Sequence, residues 1–190
     1  MRIQRPARAV FTTALLAALF PFTALPQGKA VPATTPISRG EAESVFERFK
    51  ALAGRWEGRS TKGWTGTSDY SVIAVGSVVM GLSEFTDAPG HGMATMIHMD
   101  GDRLLLTHYC EARNQPRLVA TGIEEDGRVV VFTFLDGTNM PSRETGHMDK
   151  AVFKFDGPDY HTSRWTWYQN GQERWLEDVT YTRVREQSDR

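Results

Sequence analysis

The sequence of 190 residues is poor in three features that would each define a class of protein. It contains a single cysteine, Cys110, so no disulfide can form within the chain. It has no block of basic residues, and its formal net charge of −1 at pH 7 argues against binding to nucleic acid. No apolar run reaches the ~20 residues that a membrane-spanning helix needs. We therefore expect no nucleic-acid partner and no membrane insertion, and a fold stabilised by its core.

The first 30 residues have the pattern of a secretory signal peptide. Three arginines precede a short apolar run at 9–20, and small residues follow it. Cleavage is predicted after Ala30 or Ala33, with export to the periplasm or the medium. Removal of residues 1–30 takes away four basic residues and no acidic one, so the net charge would fall from −1 to −5.

The next segment predicts a tether followed by one short helix. Residues 31–40 are predicted to be flexible, and 41–190 to form a single domain. Ser38 and Glu41 have the spacing of a capping box. Apolar residues then recur at helical spacing, which predicts about three turns of amphipathic helix ending before Gly54.

The rest of the chain has the pattern of β-strands. Predicted strands span 55–61, 68–75, 77–85, 92–99, 103–110, 117–124, 128–135, 147–155, 160–168 and 173–184. Asp100-Gly101, Asp126-Gly127 and Asn170-Gly171 are hairpin signals between them. This order favours an all-β fold, an antiparallel up-and-down β-barrel of about ten strands with one short N-terminal α-helix. A two-sheet sandwich is the alternative, and 136–146 is predicted to be a loop at a barrel mouth.

The stretch THYCEARNQPR at 107–117 places polar side chains directly after a buried run. Strand alternation around the first hairpin puts Met93, Leu106, His108 and Cys110 on the more apolar face, with Met93 opposite His108. We therefore expect the imidazole and the thiol to point into the barrel.

Alternation across the second hairpin raises the question of an interior arginine. Arg117 shares a face with Ile123 and Phe132, so it would be an interior or mouth-lining cation if that face is the inner one. An inward guanidinium would clamp a carboxylate or a phosphate. In the alternative interpretation, Asn114 and Gln115 tie a turn and Arg117 follows it as a structural residue.

The last hairpin predicts further interior groups. A two-residue turn pairs Arg164 with Glu177 on the outer face, which leaves Trp165 and Asp178 pointing inward. The facing of His161 stays open, because the preceding loop is ambiguous by one residue.

Two stretches resemble known families. LAGRWEGRS at 52–60 is similar to the opening strand of lipocalins, fatty-acid-binding proteins and nitrobindins. MATMIHMDGDRLLLTHYCEARNQPRL at 93–118 and TSRWTWYQNGQ at 162–172 resemble a lipocalin-like family of uncharacterised bacterial secreted proteins in the calycin superfamily. The resemblance covers 41–184 and implies a barrel with a ligand cavity. In nitrobindins a last-strand histidine holds haem, and the matching position is Asp178, so haem is not expected as a cofactor.

The leading hypothesis is non-enzymatic binding of a small amphipathic or apolar ligand, whose polar end is oriented by His108 and Arg117. The predicted ligand-binding residues are His108, Arg117, Cys110, Met93, Leu106, Phe132, Trp165, Gln115 and Asn114. Two alternatives stay open: a haem or reactive-nitrogen protein using His108 or His161, and a small enzyme using the His108 and Cys110 pair. No spacing of metal ligands is recognised, no cofactor is expected, and a homodimer stays open.

Overall fold

The fold was taken from a computed structural model, which describes residues 35–185. The predicted signal peptide at 1–30 and the first part of the predicted tether lie outside this range. Within the range the chain forms α1 (Arg39–Lys50), β1 (Gly54–Ser60), β2 (Thr65–Ile73), β3 (Val78–Phe85), β4 (Ala88–Asp100), β5 (Arg103–Tyr109), β6 (Gln115–Glu124), β7 (Val129–Thr138), β8 (His147–Phe155), β9 (Tyr160–Gln169) and β10 (Gln172–Arg183). No helix in this range is long and apolar enough to cross a membrane.

The ten strands form one closed antiparallel barrel. Each strand pairs with its neighbours along the chain, and β1 closes the barrel by pairing with β10. Each strand therefore has a neighbour on both sides, and the barrel of residues 54–183 has no edge strand. The predicted all-β up-and-down barrel with a short N-terminal helix is therefore confirmed, and the sandwich alternative is wrong.

The two ends of the barrel differ, and we call them the base and the mouth. Helix α1 contacts the β6–β7 connection at the base. The other connections at the base are 74–77, 101–102 and 156–159. The mouth carries the connections 61–64, 86–87, 110–114, 139–146 and 170–171. The loop predicted at 136–146 is thus a mouth connection, shortened because β7 continues to Thr138.

Helix α1 fills the base with apolar side chains. Ser38 caps it, since its hydroxyl accepts a hydrogen bond from the Glu41 backbone N–H while Glu41 accepts one from the Ser38 backbone, as the capping box predicts. Phe49 is fully buried, with its ring centroid 5.1 Å from that of Phe153 and 6.0 Å from that of Phe132. These edge-to-face contacts close the base with a packed aromatic cluster.

Arg183 on β10 joins the end of α1 to the barrel. Its guanidinium donates to the carbonyls of Ala51 and Ala53 at 2.8 and 2.7 Å, which satisfies acceptors that the helix leaves free at its C-terminal end. The same group lies 4.2 Å from the ring centroid of the fully buried Trp56, whose Nε1 donates to the Leu52 carbonyl at 2.7 Å. Trp56 is therefore a core residue of the base, consistent with the opening-strand pattern.

Two of the register shifts in the sheet, one in β6 and one in β10, affect the predicted inward and outward positions. In β6, Thr121 has no partner, because Ala120 pairs with Phe132 and Gly122 pairs with Val131. In β10, Leu176 is likewise left between two paired residues. An extra residue in one strand reverses the order of inward and outward positions beyond it. An inward or outward position that is predicted by alternation across either bulge is therefore wrong by one residue.

Candidate functional site

A small cavity lies inside the barrel between the base and the mouth. We call it the chamber; its volume is about 40 Å³, which is room for a few water molecules. Its polar and aromatic lining includes Tyr70, Thr95, His108, Trp165, Glu177 and Tyr181. The chamber is too small to enclose a whole ligand of drug size, for which pockets of roughly 300–1,000 Å³ are usual.

A wider and mostly apolar space opens toward the mouth. We call it the cup; its volume is about 640 Å³, within the range of small-molecule sites. Its outer wall includes Lys62, Asp87, Cys110, Glu111, Trp167 and Leu176. Five residues line both spaces, namely Trp64, Phe85, Met93, Met148 and Glu177. The chamber and the cup therefore adjoin, and together they form one site with a narrow inner end.

His108 points into the barrel, as the alternation of β5 predicts. Its side chain is buried at 3% exposure, Nδ1 lies 3.1 Å from the Thr95 hydroxyl, and the ring centroid lies 4.9 Å from that of Trp165. Burial lowers the pKa of His108 to about 4, so the ring is neutral at pH 7. Nε2 is buried and has no hydrogen-bond partner in the described chain. An unpartnered nitrogen beside a void is the feature that a ligand or an ordered water would satisfy.

The hairpin that carries His108 differs from the predicted pairing in one respect. Asp100 pairs with Arg103, so the turn residues are Gly101 and Asp102 and the whole pairing moves by two positions. Thr95, rather than Met93, lies opposite His108. Because the shift is even, every residue keeps its predicted face.

Glu177 is the charged residue of the site that alternation placed on the wrong side. It is 8% exposed, and its Oε2 accepts hydrogen bonds from the Ser60 hydroxyl at 2.5 Å and from Trp64 Nε1 at 2.7 Å. The bulge at Leu176 moves the pairing by one residue, so Glu177 lies opposite Trp165 and turns inward. A sequence pattern gives no direct sign of such a bulge.

Asp178 takes the outer position that had been predicted for Glu177. Its two oxygens accept from Arg164 Nε and Nη2 at 2.7 and 2.9 Å. The guanidinium lowers the pKa of Asp178. The prediction that Asp178 faces the interior is therefore wrong.

The prediction of an inward Arg117 is also wrong. The bulge at Thr121 separates Arg117 from the stretch of β6 that contains Ile123, and the inward residue next to it is Leu118. The Arg117 side chain is 45% exposed on the outer face and forms a two-point ion pair with Asp136, with Nε to Oδ1 at 2.5 Å. No anion clamp is formed inside the barrel by this residue.

The four apolar residues predicted for the pocket divide into two groups. Met93 and Trp165 line the chamber, and Met93 also lines the cup. Leu106 and Phe132 are fully buried in the hydrophobic core and line neither space. Phe49 of α1 packs against the Phe132 ring and fills the interior beside it.

The two amide side chains of the β5–β6 connection tie mouth segments together. Asn114 is buried at 2% exposure and its Nδ2 donates to the Gly146 carbonyl at 2.8 Å. Gln115 Oε1 accepts from the Thr138 hydroxyl at 2.8 Å. Both contacts fit the structural interpretation of these amides, and neither residue lines the chamber or the cup.

Cys110 lies at the wall of the cup, half-buried. Its backbone N–H donates to the Asn114 carbonyl at 3.1 Å, and burial raises the pKa of the thiol. His108 directs Nδ1 to Thr95, and no hydrogen bond joins it to Cys110 in the described chain. A thiol whose pKa is raised and which lacks an adjacent base is not an activated nucleophile, so the geometry gives no support to the enzyme alternative.

The chamber beside His108 does not fit haem. The chamber next to His108 holds about 40 Å³, far less than a porphyrin needs. His161 faces inward but is packed at 1% exposure and stacked on Tyr181, with ring centroids 4.4 Å apart. Neither of its ring nitrogens has a hydrogen-bond partner in the part of the chain that the structure describes. Within residues 35–185 no group of three or more metal-ligating side chains converges.

Comparisons with known proteins give a distant likeness in fold. No protein-family model matches the chain, and no curated protein does. A protein of unknown function from the DUF3598 family of Nostoc punctiforme superposes with a TM-score of 0.48 at 13% identity, covering 72% of this chain and 49% of that one. A redesigned β-barrel gives a TM-score of 0.34 at 11% identity, covering 80% of this chain and 100% of the design.

The chain therefore spans about half the length of the DUF3598 protein. Both likenesses are too weak to carry a function. The closed ten-stranded barrel fits a calycin-like fold, whereas membership of the lipocalin-like family and similarity to nitrobindins stay predictions.

Proposed function

We propose that the protein binds a small molecule with an apolar body and one polar end, without transforming it. The polar end occupies the chamber beside His108, and the apolar body lies in the cup. Arg117 has no part in this site, because it lies on the outer face. The observation that carries the proposal is the buried Nε2 of His108, which has no hydrogen-bond partner within residues 35–185 and lies on the wall of a void that adjoins an apolar cup.

The chemistry of the lining supports a ligand of this shape. A pocket that is mainly apolar, with a few convergent polar groups, both orients a ligand and contributes affinity through buried area. The cup supplies the apolar surface through Trp64, Phe85, Met93 and Trp167. The chamber supplies polar groups that already have fixed positions, since Thr95 holds the His108 ring.

Binding of N-phenyl-1-naphthylamine, a neutral probe whose fluorescence rises in apolar surroundings, tests the proposal. We expect saturable enhancement with the wild-type protein. Met93→Trp should abolish it, because Met93 lines both spaces and a larger ring there fills their junction. Met96→Trp is the matched control, since Met96 lies on the same strand and does not line either space.

Two results would contradict the proposal. The first is a wild-type protein that binds neither this probe nor any straight-chain amphiphile. The second is probe binding that Met93→Trp leaves unchanged, since the probe would then occupy another surface. Near-UV circular dichroism of both variants shows whether the barrel is intact.

A further inference from the structure

The charged side chains that face the site determine whether its inner end is positive or negative. Glu177 is the one carboxylate of the chamber lining, which holds no lysine or arginine, and burial keeps the His108 ring neutral at pH 7. Among the residues that line the cup, Asp87 and Glu111 add negative charge and Lys62 adds positive charge. The inner end of the site therefore carries negative charge, whereas an inward Arg117 would have made it positive.

Glu177 is a buried carboxylate that has no counter-ion among residues 35–185. Ser60 and Trp64 both donate hydrogen bonds to Oε2. No basic side chain among residues 35–185 forms an ion pair with Glu177, and Oε1 has no hydrogen-bond partner there. A charge held in a poorly hydrated place is costly unless an opposite charge joins it. A cation in the site would supply that partner.

The rings around the chamber favour the same class of ligand. Trp64, Tyr70, Trp165 and Tyr181 all contribute to its wall. The faces of aromatic rings attract ammonium groups, and the attraction strengthens where water is excluded. In the described chain, His108 Nε2 has no partner and can accept a hydrogen bond from an N–H donor when Nδ1 donates to Thr95. Carboxylate, imidazole nitrogen and ring faces thus present negative potential to one small space.

We propose that the ligand of this site is an organic amine, whose ammonium group pairs with Glu177 at the junction of chamber and cup and whose apolar body lies in the cup. This proposal rests on the proposed function and names the ligand class for it. An anionic end, as in a fatty acid, would instead be repelled by Glu177 in a space where charges are weakly screened.

Three ligands of the same chain length separate the effect of ligand charge on affinity from the effect of apolar burial. Octylamine, 1-octanol and octanoate are titrated into the wild-type protein at pH 7 by isothermal calorimetry. We expect octylamine to bind about tenfold more tightly than octanol, because hydrogen bonds to a charged partner are stronger than neutral ones. Octanoate should bind more weakly than octanol.

Variants of Glu177 then assign the preference to this residue. Glu177→Gln keeps an oxygen for Ser60 and Trp64 but removes the charge, so octylamine should bind no more tightly than octanol. Glu177→Asp keeps the charge and should keep the preference. Glu173→Gln is the matched control, since Glu173 is exposed on the same strand and lines neither space, so the order of the three ligands should stay unchanged.

The outcomes separate the two proposals. Octanol and octanoate binding as tightly as octylamine in the wild type would overturn the amine proposal and leave the proposed function standing. A preference for octylamine that persists in folded Glu177→Gln would overturn it as well. Failure of all three ligands and of the naphthylamine probe would overturn both. The wild-type series decides the question even if Glu177→Gln does not fold.

Discussion

Acidification from pH 7 to pH 5 should strongly destabilise the barrel, because two histidines are buried in their neutral form. Burial lowers the pKa of His108 to about 4 and, with a contribution from Arg183, lowers that of His161 to about 3. In the unfolded chain a histidine titrates near 6.5. Below pH 6.5 these histidines bind protons in the unfolded state but stay neutral in the folded state. The free energy of unfolding therefore falls as the pH drops from 6.5 toward the folded-state pKa values.

The size of the loss follows from the difference in pKa. Each pH unit between the unfolded and folded values costs about 1.4 kcal/mol per histidine, so each should lose about 2 kcal/mol by pH 5. At pH 5 this figure hardly depends on the folded-state values, since both lie well below 5. Together the two residues should lower the free energy of unfolding by about 4 kcal/mol, a large part of the stability of a typical domain.

Urea denaturation followed by tryptophan fluorescence, at pH 7 and at pH 5, measures this loss. His161→Phe is the informative variant, because it retains a flat ring against Tyr181 and removes two buried nitrogens that have no hydrogen-bond partner in the described residues. We expect the variant to be more stable at pH 7 by about 1 kcal/mol and to lose only about half as much on acidification. Equal losses in the two proteins would refute the assignment of acid sensitivity to His161.

Two further predictions concern residues that the sequence had suggested for the site. A double-mutant cycle of Arg117→Ala and Asp136→Ala should give a coupling energy of no more than about 1 kcal/mol, because the pair is half exposed. Neither variant should change probe binding. Weakened probe binding would show that Arg117 contributes to the site. The Cys110 thiol should react with iodoacetamide at pH 7 more slowly than a free cysteine, because burial raises its pKa; a faster reaction would revive the enzyme alternative.

The strands, the helix and the barrel class could be predicted from local patterns. The strand predicted at 147–155 is observed as His147–Phe155, and the capping box at Ser38 begins the helix as expected. These features depend on residues close together in sequence, where period, turn residues and caps agree. Closure of the barrel could not be predicted in this way, because it depends on the pairing of β1 with β10, the two strands farthest apart in the sequence.

The charges of the site could not be predicted, because they depend on bulges. Alternation counted back from Ile123 assigned Arg117 to the wrong face, because the bulge at Thr121 lies between them. Pairing counted from the last turn reversed the faces of Glu177 and Asp178, because it ignored the bulge at Leu176. A bulge is fixed by the twist and curvature of the whole sheet, which a single strand does not reveal. His108 was placed correctly because no bulge lies between it and its hairpin turn.

The difference between base and mouth has a consequence for how such a protein can change. Helix α1, Trp56 and Arg183 hold the base together through contacts that do not reach the cup. Loop exchange at the mouth would alter the entrance without disturbing that packing. The architecture thus separates the part that maintains folding from the part that can acquire new specificity, and it would suit selection experiments in which the five mouth connections are randomised.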